Sequence, residues 1–178
     1  MLTEPLPNSL DVRKAAARGV SISGTLKPLD LPRFKALLAD ETGDVRAALA
    51  FSRDEENRPV VQVEFEASVS VTCQRCLKPM DLCLGGDNTL AIVWNDDQAK
   101  HLPRQLDPLI VPEEGGCNLW ELVEDELMLA LPPFSYHDTE DCKEILSDYS
   151  GPAAAGEEGD SPPNPFDVLA QLKTDDKH

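Results

Sequence analysis

The chain has 178 residues and a formal net charge of −17, from 16 Lys and Arg against 33 Asp and Glu. That length suits one folded unit with tails rather than two large domains, and the acidity argues against binding nucleic acid over most of the surface, because such affinity rests on Lys and Arg contacts to phosphate. No stretch approaches the ~20 consecutive apolar residues of a membrane helix, and MLTEPLPNSL lacks the basic start and apolar run of a secretory signal. The chain is therefore read as cytoplasmic, where its five cysteines stay reduced.

The charge is uneven along the chain. Residues 1 to 35 hold six basic side chains (Arg13, Lys14, Arg18, Lys27, Arg33, Lys35) against three acidic ones, a local +3. Arg13, Lys14 and Arg18 are thus the candidate contacts to RNA, while the acidic remainder suits a basic protein partner. DVRKAAAR, residues 11 to 18, predicts a first helix that stops at Gly19. Val20 to Leu26 predicts a strand, Leu31 to Leu38 a short helix with Pro32 in its first turn, and Val45 to Ser52 another strand.

The clearest periodicity follows. In VQVEFEASVSV, Val61, Val63, Phe65, Ala67, Val69 and Val71 alternate with polar residues, which predicts a strand with one buried and one wet face. Strand character resumes at Met80 to Leu84 and again at Thr89 to Trp94, with Gly85 to Asn88 read as a break or bulge. The sequence CQRCLKP, Cys73 to Pro79, then falls on the turn between two antiparallel strands.

NLWELVEDELMLALP predicts the longest helix. Asn118 and Glu121 have capping-box spacing, Leu119, Leu122, Val123, Leu127, Ala130 and Leu131 form one apolar stripe, and Pro132 and Pro133 end it. Glu121, Glu124, Asp125 and Glu126 are read as its solvated face. Ser150 to Pro163 is too poor in apolar groups to order itself and reads as a disordered linker. Structure restarts at NPFDVLAQLK, where Asn164 can cap, Pro165 suits the first helical position, and Phe166, Leu169 and Leu172 share one face fit to dock on the domain or on a partner. The expected organisation is one domain over residues 1 to 149, a linker over 150 to 163, and a short helix with its tail over 164 to 178. Its fold class is α+β: a mainly antiparallel sheet, its closure into a barrel left open, with a few flanking helices.

Two thiolates at Cys-x-x-Cys spacing fit two corners of a tetrahedral zinc site. The other corners can come from YHDTEDC, which offers His137 and Cys142, so Cys73, Cys76, His137 and Cys142 form the candidate ligand set of a structural zinc ion. Cys83 and Cys117 read as core thiols. The competing reading is a thiol-disulfide oxidoreductase using Cys73 and Cys76, but such motifs start a helix that lowers the first thiol pKa, and Pro79 followed by strand leaves no helix here. No phosphate-binding, dinucleotide-binding, serine-hydrolase or zinc-hydrolase motif occurs.

Taken in order, CQRCLKP, VEDELMLALP (Val123 to Pro132), HDTEDC (His137 to Cys142) and NPFDVLAQLK (Asn164 to Lys173) resemble the bacterial YceD family of large ribosomal RNA subunit accumulation proteins, over essentially the whole chain. The resemblance implies a non-enzymatic factor needed for accumulation of large-subunit ribosomal RNA, its gene typically beside that of a large-subunit ribosomal protein. Its implied partners are a large-subunit ribosomal protein or a ribosomal RNA precursor. Many relatives carry a second Cys-x-x-Cys after the long helix. Here His137 and Cys142 stand in that place, and no further cysteine follows.

Overall fold

The computed structural model describes residues 4 to 111 and 116 to 148. The first strand, β1 (Ser9–Leu10), leads into helix α1 (Val12–Arg18), whose amino end is capped by Asp11 accepting from the Lys14 amide, and whose last turn closes on Gly19 at φ +65°. Strand β2 (Ser21–Leu26), a 3-10 turn at Pro28–Asp30 and helix α2 (Pro32–Lys35) follow, then three long strands, β3 (Gly43–Arg53), β4 (Pro59–Thr72) and β5 (Pro79–Val93). The chain ends its described course through α3 (Asp96–Ala99), β6 (Asp107–Ile110), β7 (Cys117–Asn118), α4 (Leu119–Ala130) and α5 (Glu140–Asp148).

Five strands form one sheet in the order β2-β3-β4-β5-β6. All neighbours are antiparallel except β5 and β6, and β1 pairs with β7 as a separate two-stranded ribbon. The architecture is thus the expected α+β class. The sheet stays open, with β2 and β6 at its edges rather than joined.

Alternation along the strands places the core. Val45, Ala47, Leu49 and Phe51 of β3 and Val61, Val63, Phe65, Ala67 and Val69 of β4 are buried on one face, against α1 and α4. From α1 come Val12, Ala15 and Ala16, and from α4 Leu119, Leu122, Val123 and Leu127. The stripe read in the sequence is therefore the face that covers the sheet.

Several expectations need correction. Residues 85 to 88 do not interrupt the strand: β5 runs unbroken, with Gly86 opposite Phe65 and Gly85 opposite Glu66. A Cβ on Gly86 would lie 2.9 Å from the Phe65 ring, so this glycine makes room for an aromatic side chain in the core and does not mark a bulge. The second helix is only four residues long, because after Lys35 the chain turns away through tighter bonds, the Leu37 amide donating to Phe34 and the Leu38 amide to Lys35. The acidic run of α4 is not one solvated face either. Glu121 and Asp125 are exposed, but Glu124 is 2% exposed and Glu126 8%, because both point back to polar partners on other elements. Cys117 is buried as expected, whereas Cys83 lies on the wet face of β5. The expected linker and the helix at Asn164 to Lys173 lie outside the described residues.

Candidate metal centre

The longest hairpin, β4 with β5, pairs from Val60 opposite Ala91 to Thr72 opposite Pro79. Its connection, residues 73 to 78, is a turn closed by two backbone bonds: the Cys73 amide donates to Lys78 and the Leu77 amide to Cys73, both at 2.9 Å. Leu77 takes φ +59°, a conformation in which a side chain crowds the backbone. The turn brings the Cys73 and Cys76 side chains toward the same side of the hairpin end.

The second half arrives from the far end of α4. Pro132 and Pro133 stop that helix, and the extended segment after them is pinned to the turn by the Gln74 amide donating to the Ser135 carbonyl at 2.9 Å. His137 follows, and α5 then presents Cys142. Cys73 Sγ lies 3.6 Å from Cys142 Sγ, and Cys76 Sγ lies 3.2 Å from His137 Nδ1. All four ligand atoms fall within 4.8 Å of one another. Ligands ~2.3 Å from a central ion stand about 3.8 Å apart at the corners of a tetrahedron, so the closer pairs already have the spacing of that polyhedron.

The histidine is oriented for ligation. Its Nε2 lies 3.1 Å from the Pro79 carbonyl, which can only accept, so Nε2 carries the proton and Nδ1 turns its lone pair to the thiols. A ligating imidazole held by a backbone carbonyl through its other nitrogen is the usual supporting arrangement. Cys73 is fully buried and Cys142 nearly so, at 4% exposure. Burial opposes ionisation of Cys73, but the amides of Cys76, His137 and Arg75 directed at its sulfur outweigh that and bring the thiol down to about 5. Cys142 goes the other way: burial raises it, and the neighbouring Cys73 and Cys76 sulfurs raise it further. Several thiol sulfurs crowded together, one of them readily ionised, present the soft donor set of a divalent zinc-type cation. The residues present fit that ion.

The same geometry speaks against the redox reading. No helix starts at Cys73, and the amides of the turn and of His137, not a helix terminus, lower its pKa. That thiol is 0% exposed, out of reach of an external disulfide.

Of the basic trio, Lys14 and Arg18 are exposed on α1. Arg13 is half-buried: its guanidinium lies 4.0 Å over the Trp94 ring and donates to the Val111 carbonyl at 2.6 Å. Phe166, Leu169 and Leu172 lie outside the described residues. Sequence reading missed the supporting groups Ser135 and Pro79, which act through backbone carbonyls and leave no trace in residue type. It also missed Arg75, whose guanidinium lies 5.0 Å over the Tyr136 ring.

The family model described as large ribosomal RNA subunit accumulation protein YceD matches residues 61 to 173, which include the whole candidate centre. Among curated proteins, the chain is 34% identical over 168 residues to the large ribosomal RNA subunit accumulation protein YceD of Haemophilus influenzae, covering 94% of this chain and 96% of that one. No solved structure matches it. With the family model spanning well over half of the residues and a relative aligned nearly end to end, this chain belongs to the YceD family.

Proposed function

We propose that the protein is a non-enzymatic ribosome biogenesis factor that supports accumulation of large-subunit ribosomal RNA. The observation that carries this reading is the near end-to-end match to the Haemophilus influenzae protein of that description. The chemistry supports it, since the thiol-rich group among the described residues has Cys73 fully buried, which suits a bracing role better than reaction with an external substrate. Cys73, Cys76, His137 and Cys142 would hold a zinc ion, which supplies a cross-link between the β4 and β5 hairpin and the segment after α4. In a chain with few aromatics, that link adds stability at a place the core does not reach.

The partner that fits is a basic large-subunit ribosomal protein or the assembling precursor. A net charge of −17 favours a basic protein over naked RNA, with the exposed Lys14 and Arg18 as the side from which RNA is touched. Depletion in the native host, followed by quantification of the two ribosomal RNAs and gradient sedimentation of the protein, tests this. A selective fall in large-subunit RNA and sedimentation with large-subunit precursors is expected. Unchanged RNA levels with the protein only at the top of the gradient would overturn it.

A further inference from the structure

Three exposed large apolar side chains flank the candidate metal ligands along the chain. Leu77, 75% exposed, follows Cys76, while Phe134 at 65% and Tyr136 at 45% sit on the segment that delivers His137. The bond from the Gln74 amide to Ser135 holds the two segments side by side. Phe134 and Tyr136 stack with ring centroids 6.4 Å apart, and Arg75 lies over Tyr136. Leu77 is the least expected of the three: a solvated leucine at φ +59°, where glycine is the residue without steric cost. Arg75 Nη1 is buried with no hydrogen-bond partner among the described residues.

We propose that this patch is the docking site of the chain's own C-terminal segment, Asn164 to Lys173, with Phe166, Leu169 and Leu172 against Leu77, Phe134 and Tyr136. The segment has an apolar stripe at helical spacing, and Asp167 beside Phe166 supplies a carboxylate for Arg75. Chain length selects the site. The described chain ends on α5, whose Cys142 is at the centre, and Asp148 is only about 9 Å further along that helix. Phe166 is eighteen positions beyond Asp148; with residues 150 to 163 behaving as the flexible linker their composition predicts, the mean span is roughly 21 to 25 Å. The metal end of the hairpin lies within it.

The main alternative on the same molecule is the apolar groove of about 580 Å³ beside Trp94, lined by Pro59, Ala91, Val93 and Leu102. It lies at the opposite end of β5, about 46 Å from Pro79 along the strand, roughly twice the linker's mean span. Intramolecular docking is favoured where the linker's ordinary span matches the separation, which is the patch and not the groove. This inference rests on the joined hairpin and segment and stands apart from the ribosomal reading.

The test is a heteronuclear NMR comparison of the full chain with the full chain carrying F166S, L169S and L172S, at two concentrations. Expected in the triple variant are amide shifts confined to residues 74 to 78 and 134 to 136, and a fall in the order parameters of residues 164 to 173 from near 0.85 to below about 0.6. The reciprocal full-chain variant L77S/F134S should release the same ten residues, with retained metal content and a dispersed spectrum showing that it has folded. Shifts at residues 91 to 102 instead, no shift at the patch, or shifts that disappear on tenfold dilution and so report a second copy, would each overturn the assignment.

Discussion

Glu124 and Arg33 stand 91 positions apart, and the carboxylate of the first receives both the backbone amide and the side chain of the second. Glu124 Oε1 accepts from the Arg33 amide at 2.7 Å and from the Phe34 amide at 3.0 Å, while Oε2 accepts from the guanidinium at 2.9 Å. These amides belong to the first turn of α2, which has no capping side chain of its own. A residue of α4 therefore caps another helix. E124A leaves two amides without acceptors beside the fully buried Phe34 and should cost about 2 to 4 kcal/mol in urea unfolding. E124Q, which keeps one acceptor oxygen, should fall between it and the parent.

Metal removal gives the second prediction. A strong chelator should lower the midpoint of thermal unfolding and raise exchange at residues 73 to 78 and 134 to 142, leaving the β2 and β3 pairing protected. Readdition of zinc at a hundred times its Kd should restore about 2.7 kcal/mol. C142S should retain the sheet by circular dichroism and lose zinc in elemental analysis. H137Q should weaken zinc binding by more than the 10- to 100-fold that loss of a supporting group costs.

Close packing at the sheet edge gives the third. The backbone at Glu4 to Leu6 lies against β2, with the Leu6 amide donating to Thr25 at 3.1 Å and the Thr25 amide to Glu4 at 3.0 Å. A Cβ on Gly24 would lie 2.5 Å from the Leu6 nitrogen, a backbone atom that cannot rotate away. G24A should therefore push this segment off the edge, expose the fully buried Leu6 and destabilise by roughly 1 to 3 kcal/mol, read as a lower urea midpoint.

Glu126 supplies a pH dependence. Burial raises its pKa above the ordinary 4.5, Asp107 and Asp125 raise it further, and the Asn88 amide partly offsets them. A carboxyl with a raised native pKa adds stability below its unfolded pKa and loses that contribution as pH rises through the native value. E126Q should thus match the parent near pH 4 and become the more stable of the two at pH 7. Paired urea melts at both pH values check this, and equal differences at both would refute it.

Legibility in the sequence followed the range of the interactions. β4 and α4 were readable because alternation and helical periodicity are local consequences of which face is buried, and Asn118 caps α4 by accepting from Trp120 and Glu121. That Cys73, Cys76, His137 and Cys142 could come together was readable because thiol and imidazole are rare and chemically marked. Short elements such as β6 and β7 were not, since a strand of four residues or two exists only where its neighbour supplies the bonds. Nor was the burial of Glu124, which depends on α2 arriving 91 positions earlier in the chain, or the continuity of β5, which depends on the ring of Phe65.

The strand order has a kinetic consequence. From β2 to β5 each strand pairs with its successor in the chain, so most of the sheet can zip from sequence-local contacts, which favours rapid folding. The contact between Cys73 and Cys142 spans 69 positions and encloses the whole of α4 in the loop it closes, so it is expected to form late. A bond formed after the rate-limiting barrier leaves the folding rate alone and slows unfolding. The thiol centre should thus act as a latch on an already assembled molecule, with C142S speeding unfolding in stopped-flow measurements while leaving the folding rate unchanged.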